Sequence, residues 1–173
     1  MSLRTHWTTR PETTEDRAGV YGVNAAAFET DAEARLVDAL REDPGAWVPE
    51  LSYVAEAPDG SIAAYALITR CHVDETPALA LAPVAVLPDH QRQGAGAAVV
   101  RAALEAARAR AEERLVLVLG HPEYYPRFGF VRASEYGIRP DFDVPDEAMM
   151  ALVLDGAASV APGTIRYPAA FGV

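Results

Sequence analysis

The sequence predicts an α+β domain. Three observations predict it. Two β-rich runs flank the turn residues Pro58-Asp59-Gly60, and a buried strand, a long amphipathic helix and a second buried strand follow one another over 78–119. A chain of 173 residues that is 50% hydrophobic is long enough for one substantial core and too short for two ordinary domains, so 1–173 is read as one domain with one site.

Taken in order, Leu3–Thr9 reads as a short alternating strand and Thr14–Phe28 as a helix. Asp31 stands at the cap position of a second helix, Ala32–Arg41, whose Leu36, Val37 and Leu40 share one apolar face; Asp43-Pro44-Gly45 ends it. Leu51–Ala57 and Ser61–Thr69 form a hairpin about Pro58-Asp59-Gly60. Ala78–Leu87 is apolar almost throughout, as a strand covered on both faces must be. Pro83 inside it has no ladder donor, which predicts a bulge. From Gly94 to Glu113, Val100, Leu104 and Ala107 recur at helical spacing, while Arg101, Glu105, Arg108 and Glu112 form an exposed face of opposite charges. Leu115–Leu119 is the second buried strand, completing a βαβ unit. A turn at His121–Phe130, a strand over Met149–Leu154 and an extended piece over Thr164–Tyr167 follow.

The net charge is -10, and all 15 basic residues are arginine. A nucleic-acid binder needs a basic face, so that class is set aside, and the balance favours cationic or neutral partners. A single cysteine, Cys71, excludes an internal disulfide and a cysteine-based metal cluster. No metal is expected. No window offers the roughly 20 uninterrupted apolar residues of a membrane helix, and Met1–His6 lacks the apolar core of a signal peptide, so a cytoplasmic protein without membrane contact is expected.

Against the acidic background, Gln91–Arg114 carries Arg92, Arg101, Arg108, Arg110 and Arg114. The stretch opens with two glycines, Gly94 and Gly96, at the mouth of the long helix. A helix N-terminus presents unpaired N–H groups and about half a positive charge, and glycine removes the Cβ that holds a phosphate away. The pair therefore reads either as a pyrophosphate cradle with Arg92 beside it or as a tight strand-to-helix turn. A Walker loop is excluded because the chain has no lysine, and the dinucleotide fingerprint because Val99 replaces its third glycine.

What remains, Gln91-x-x-Gly94-x-Gly96, resembles the acyl-CoA signature of the GCN5-related N-acetyltransferase (GNAT) family, and the preceding "VAVLPDH" is similar to that family's strand leading into the loop. Downstream, "YPRFGF" is similar to the family's Tyr-x-x-x-Gly-Phe element, with Tyr125, Gly129 and Phe130 in place. "HPEYYPRFGF" as a whole resembles a bacterial subgroup of predicted acetyltransferases with poorly defined substrates. The resemblance is clearest over Ser52–Val131. One position departs: many members carry asparagine seven residues before the tyrosine, where this chain has Val118, and His121 or Glu123 is the candidate replacement.

The resemblance implies three layers, α/β/α, about a GNAT-like mixed, mostly antiparallel twisted sheet with a central, splayed parallel strand pair. It also implies direct transfer of acetyl from acetyl-CoA to an amine, without a covalent enzyme intermediate. Backbone groups of Val84, Ala85 and Val86 would pair with the pantetheine arm, the Val86 N–H serving as oxyanion donor. Arg92, Gln93, Gly94, Ala95, Gly96 and Ala97, with Gln91 ahead of them, would ring the pyrophosphate. Tyr125 occupies the general-acid position; a phenol with a pKa near 10 is protonated at neutral pH and able to donate. The alternative is that Tyr124 and Tyr125 are packing residues. Glu29, Asp31, His72 and Glu123 are candidates for the acceptor side, with Asp74 and His121 beside them, each also readable as a solvated loop residue. Trp47 is a candidate wall of that site. The acceptor is expected to be a small-molecule or peptide amine of cationic character, and a homodimer is left open. The rival from another class is a non-catalytic acyl-CoA sensor, which has no use for the Tyr125 phenol.

Overall fold

The turn after Ala57 closes a hairpin for local reasons. Gly60 takes φ 86°, in the left-handed region, and the Asp59 carboxylate accepts hydrogen bonds from the Ser61 N–H (2.9 Å) and hydroxyl (2.6 Å). A computed structural model of the protein describes residues 7–156 and 159–173. In chain order these contain β1 (Thr8–Pro11), α1 (Arg17–Ala27), α2 (Ala32–Arg41), β2 (Ser52–Glu56), β3 (Ile62–Val73) and β4 (Thr76–Val86). They continue with α3 (Ala95–Arg110), β5 (Leu115–Leu119), β6 (Val131–Arg132), β7 (Ile138–Arg139), β8 (Met149–Val153) and β9 (Gly163–Arg166).

The strands form one twisted sheet in the order β1-β2-β3-β4-β5-β8-β6, with β9 paired to the far end of β3 and β7 to β9. Neighbours run antiparallel except β4–β5 and β7–β9, so the sheet is mixed and mostly antiparallel. The apolar stripe of α3, including Val99, Val100, Ala103, Leu104 and Ala107, is buried against Ala64, Ala66, Ile68, Leu79 and Leu81 on one face. On the other face Val20 and Val23 of α1 and Val37 and Leu40 of α2 cover Val54, Tyr65 and Leu67. Three layers result, because each helix has one apolar stripe and the sheet has two apolar faces to hide.

The bulge expected at Pro83 is present. Ala66 pairs with Val84 and Ile68 with Leu81, so two residues, Ala82 and Pro83, oppose the single Leu67. The inserted residue shifts the side-chain alternation, and Leu79, Leu81, Val84 and Val86 all pack with the cluster under α3. Cys71 is a buried packing residue whose thiol is pushed up to about 12 by burial, with Glu113 adding to the effect.

Several boundaries differ from the sequence expectation. The first strand is Thr8–Pro11 rather than Leu3–Thr9, and positions 3–6 of the expected strand lie outside the described residues. Pro11 is tolerated because β1 pairs only with β2, at the edge of the sheet. The first helix opens with a 3-10 turn over Thr14–Asp16. Asp31 does sit at the N-terminus of α2, but it makes no side-chain cap. Its carboxylate instead accepts the Tyr21 hydroxyl at 3.0 Å and pairs with Arg35 at 3.1 Å. The long helix stops at Arg110, three residues early, because Ala111 turns to φ 56° and closes the last turn on the Arg108 carbonyl.

A charge cluster ties the edge strand to the helical layer. Asp16 accepts from both terminal nitrogens of Arg10 (2.6 and 3.0 Å) and from the Thr13 N–H (2.6 Å), while Arg10 also donates to Glu56. The Arg10 guanidinium, helped by the Thr13 donors, holds the Asp16 carboxyl at about 2, below its ordinary range. A depressed folded-state pKa stabilises the fold wherever the unfolded carboxylate is already ionised; that contribution is complete above about pH 4 and is lost as the pH falls through about 2. Asp16→Asn is therefore expected to be less stable than the wild type at pH 7, with the difference shrinking between about pH 4 and pH 2. Parallel urea melts measure it, and a difference independent of pH would contradict the assignment.

Candidate active site

The parallel pair β4–β5 is joined over a short register, Leu79 opposite Val116 and Ala80 opposite Leu117. Beyond it β4 follows β3, ending with Val86 opposite Ala64, whereas β5 follows β8, ending with Leu119 opposite Met149. The two strands thus part, and a gap opens at their C-terminal ends. The Leu87 N–H donates to the Ala63 carbonyl at 2.9 Å, which turns that residue's polar groups toward β3. Because backbone groups alternate along a strand, the N–H and C=O of Val86 and Val84 point the other way, into the gap. The Val86 carbonyl is reached from there by the Gln91 side-chain amide at 3.4 Å.

The chain leaves β4 through a 3-10 turn over Pro88–His90 and enters α3 through a loop in which Arg92 has φ 62° and Gly94 φ 88°. Gly94 is required by that left-handed conformation at the helix N-cap. Gly96 is required by a close approach: a Cβ there would stand 3.0 Å from Val86 Cγ2 and 3.4 Å from the Tyr124 hydroxyl. The loop is braced from outside, where the Trp7 indole N–H donates to the Gln93 carbonyl at 3.0 Å and the Trp7 ring meets His90 edge-on at 5.5 Å. No side chain caps α3, so the first-turn N–H groups stay directed at the gap with the positive end of the helix dipole behind them.

Tyr125 closes the opposite wall. Its ring is wedged edge-on between Tyr124 (5.0 Å between centroids) and Phe130 (5.9 Å), against Gly120, where a Cβ would fall 2.4 Å from the ring carbon Cε2. Burial pushes the hydroxyl up to about 12, with Tyr124 adding to the shift. Tyr124 is half-buried and its hydroxyl is also raised by burial, against the opposing influence of Arg127 and Arg101. The Arg127 guanidinium lies 4.2 Å from the Tyr124 ring centroid, and its Nε donates to the Tyr124 carbonyl at 2.8 Å.

These walls enclose a cleft of about 610 Å³. The expected residues Val84, Ala85, Val86, Gln91, Arg92, Gly94, Gly96, Ala97 and Tyr125 all line it, and so does His121. Two others do not: Ala95 is buried in the core under α3, and Gln93 faces outward, bonded to the Asp89 carbonyl. The acceptor-side candidates are mostly dispersed. His72 lies inside β3 opposite Pro77 and Arg166, at the far end of the strand from Val86, because the strand runs on through Val73 instead of ending near Thr69. Asp31 is committed to Tyr21 and Arg35. Glu123 is exposed on the turn outside the cleft, and Glu29 adjoins the lining residue Phe28 without lining the cleft itself. Trp47 stands over Arg41 in the layer of α1 and α2, away from the cleft. Val118 is buried in β5 opposite Met150 and presents nothing to the site. Ala27, Phe28 and Arg127 line the cleft without having been singled out, and Tyr124, considered only as a packing residue, lines it as well.

Comparison with known proteins agrees with this geometry. The Acetyltransferase (GNAT) family matches residues 12–130. YjhQ, an uncharacterized N-acetyltransferase of Escherichia coli K12, is 34% identical over 147 residues, covering 82% of this chain and 80% of YjhQ. Among solved structures, the chain is similar to the GNAT family N-acetyltransferase YhbS from Escherichia coli in complex with CoA. The TM-score is 0.90 at 26% identity, covering 100% of this chain and 96% of that one. It is also similar to a GNAT family acetyltransferase from Brucella melitensis in complex with acetyl-CoA, with a TM-score of 0.77 at 28% identity over 96% of this chain and 99% of that one.

Proposed function

The chain belongs to the GNAT acetyltransferase family and is an N-acetyltransferase, and on that premise we propose that it takes acetyl-CoA as donor and passes the acetyl group directly to the amine of a small molecule or peptide. The observation that carries the reading is the gap between β4 and β5, with the polar groups of Val84 and Val86 turned into it and the uncapped N-terminus of α3 at its mouth. An extended amide-bearing arm satisfies such strand edges as a further strand would. A pyrophosphate suits the N–H groups of the first turn of α3, with Arg92 and Gln91 beside it. The thioester supplies an electrophilic carbonyl carbon.

The protein's own part is positioning and charge. The Val86 N–H is the donor for the carbonyl oxygen as negative charge grows there. The amine nitrogen attacks the carbonyl carbon, a C–N bond forms and the C–S bond breaks. Tyr125 gives its phenolic proton to the departing sulfur, and the proton released by the nitrogen returns to the phenolate through water in the cleft. Burial keeps the Tyr125 hydroxyl protonated throughout the neutral range, so the donor is in place before charge develops. The wedge of Tyr124, Phe128 and Phe130 fixes its aim.

Gly96→Val is expected to abolish binding of CoA while leaving a folded protein, since its branches crowd the Val86 side chain and cover the first-turn N–H groups. Calorimetry with CoA tests this, and an unchanged dissociation constant would reduce the loop to a tight turn. Tyr125→Phe is expected to lower kcat by roughly 10²–10⁴-fold with CoA affinity nearly unchanged, and Tyr124→Phe to do much less. Near-normal turnover in Tyr125→Phe on a good acceptor would remove that phenol from the chemistry while leaving the donor site intact.

A further inference from the structure

The gap has a second side. Toward α3 it is filled, because Leu79, Leu81, Val84, Val86 and Val118 belong to or pack against the cluster under that helix. On the opposite face a separate chamber of about 210 Å³ straddles the same two strands. Its floor is Ala80 and Ala82 of β4 and Leu117 and Leu119 of β5, and Phe142 and Phe171 stand across from them. Its lining adjoins that of the cleft along both strands: Ala82 is two residues from Val84, and Leu119 two residues from His121. The small side chains of Ala80 and Ala82 leave the volume open.

The chamber is apolar. Among the described residues no charged side chain lines it, and the one hydroxyl, on Tyr167, is directed at the Met149 sulfur at 3.9 Å. Tyr167 stacks obliquely on Phe142 (6.1 Å) and Phe171 (5.2 Å), giving an aromatic wall. Leu119, a large apolar side chain of this floor, is 44% exposed, the kind of surface a ligand covers. A cavity of about 150 Å³ lined by apolar side chains is known to admit benzene, so this one has room for a phenyl ring with one or two further carbons. A charged ammonium would be costly inside it, so an amine nitrogen would be left outside the apolar lining.

We propose that this chamber seats the apolar portion of the acetyl acceptor, which is therefore a primary amine bearing a compact aralkyl or alkyl group rather than a polyamine or an amino acid. The inference rests on the acetyl-CoA reading above. The net charge of -10 favours approach of a protonated amine, which gives up one proton to water before its nitrogen attacks, and the chamber selects by what the nitrogen carries.

Thiol release from acetyl-CoA is to be followed with phenethylamine, butylamine, spermidine and glycine, in the wild type and in Leu119→Glu, a half-exposed position where a carboxylate does not disturb the core. Phenethylamine is expected to exceed spermidine and glycine in kcat/KM by at least about tenfold, the discrimination an apolar pocket supplies. Leu119→Glu should erase that advantage through KM for the amine, leaving the dissociation constant for CoA unchanged. Equal or better turnover of spermidine or glycine would overturn the proposal and leave the acetyl-CoA reading standing. So would a preference for hexanoyl-CoA over acetyl-CoA, with spermidine as acceptor, that Leu119→Glu removes, since the chamber would then hold the acyl chain. Release from no amine at all would overturn both readings.

Discussion

Parallel pairing between β4 and β5 stops after Ala80 and Leu117, and the site depends on that early stop. Two buried strands of equal reach would normally satisfy each other along their whole length. Here β4 is held by β3 as far as Val86 and β5 by β8 as far as Leu119, so each finishes on a different partner. The polar groups of Val84 and Val86 face a gap, where the Gln91 side chain reaches the Val86 carbonyl. The bulge at Ala82–Pro83 contributes by resetting the alternation just before these residues, so that valine side chains fill the space under α3 while their backbone serves the gap.

The same divergence positions the rest of the chemistry. The chain must travel from the end of β4 back over the sheet, and the tight entry into α3 brings the positive end of that helix to the gap. The glycines of the entry loop answer two different demands: Gly94 a left-handed backbone, and Gly96 the nearness of Val86 and Tyr124. On the β5 side the chain turns at once through Gly120, whose missing Cβ makes room for the Tyr125 ring. The first turn of α3 and the Tyr125 phenol thus lie on opposite sides of one opening, each fixed by a packing contact of its own.

Much of this is legible in the sequence because the signals are local. The hairpin is announced by Pro58-Asp59-Gly60, the bulge by a proline in a buried run, and the glycine loop at the cleft by Gln91-x-x-Gly94-x-Gly96 ahead of an amphipathic helix. What is not legible depends on distant partners. His72 reads as a loop residue beyond the third strand because polar residues near its end mask a pairing with Arg166, far along the chain. Asp31 has the right position for a cap, but Tyr21 and Arg35 compete for its carboxylate. Ala111 carries no mark of a helix terminus, and the cleft wall at Ala27 and Phe28 arises only from where α1 ends in space. Gly96 shows the limit most clearly: its spacing suggests room for a phosphate, and the fold adds a packing demand from Val86 and Tyr124.

Residue-resolved amide hydrogen exchange, with and without saturating CoA, tests the central claim most directly, because the account assigns opposite fates to neighbouring amides of one strand. Val84 and Val86, turned into the gap, are expected to exchange rapidly in the free protein and to be slowed markedly when CoA is bound. Ala85 and Leu87, turned toward β3, are expected to be protected in both states. Equal protection of all four amides without CoA, or rates at Val84 and Val86 that saturating CoA leaves unchanged, would contradict the account.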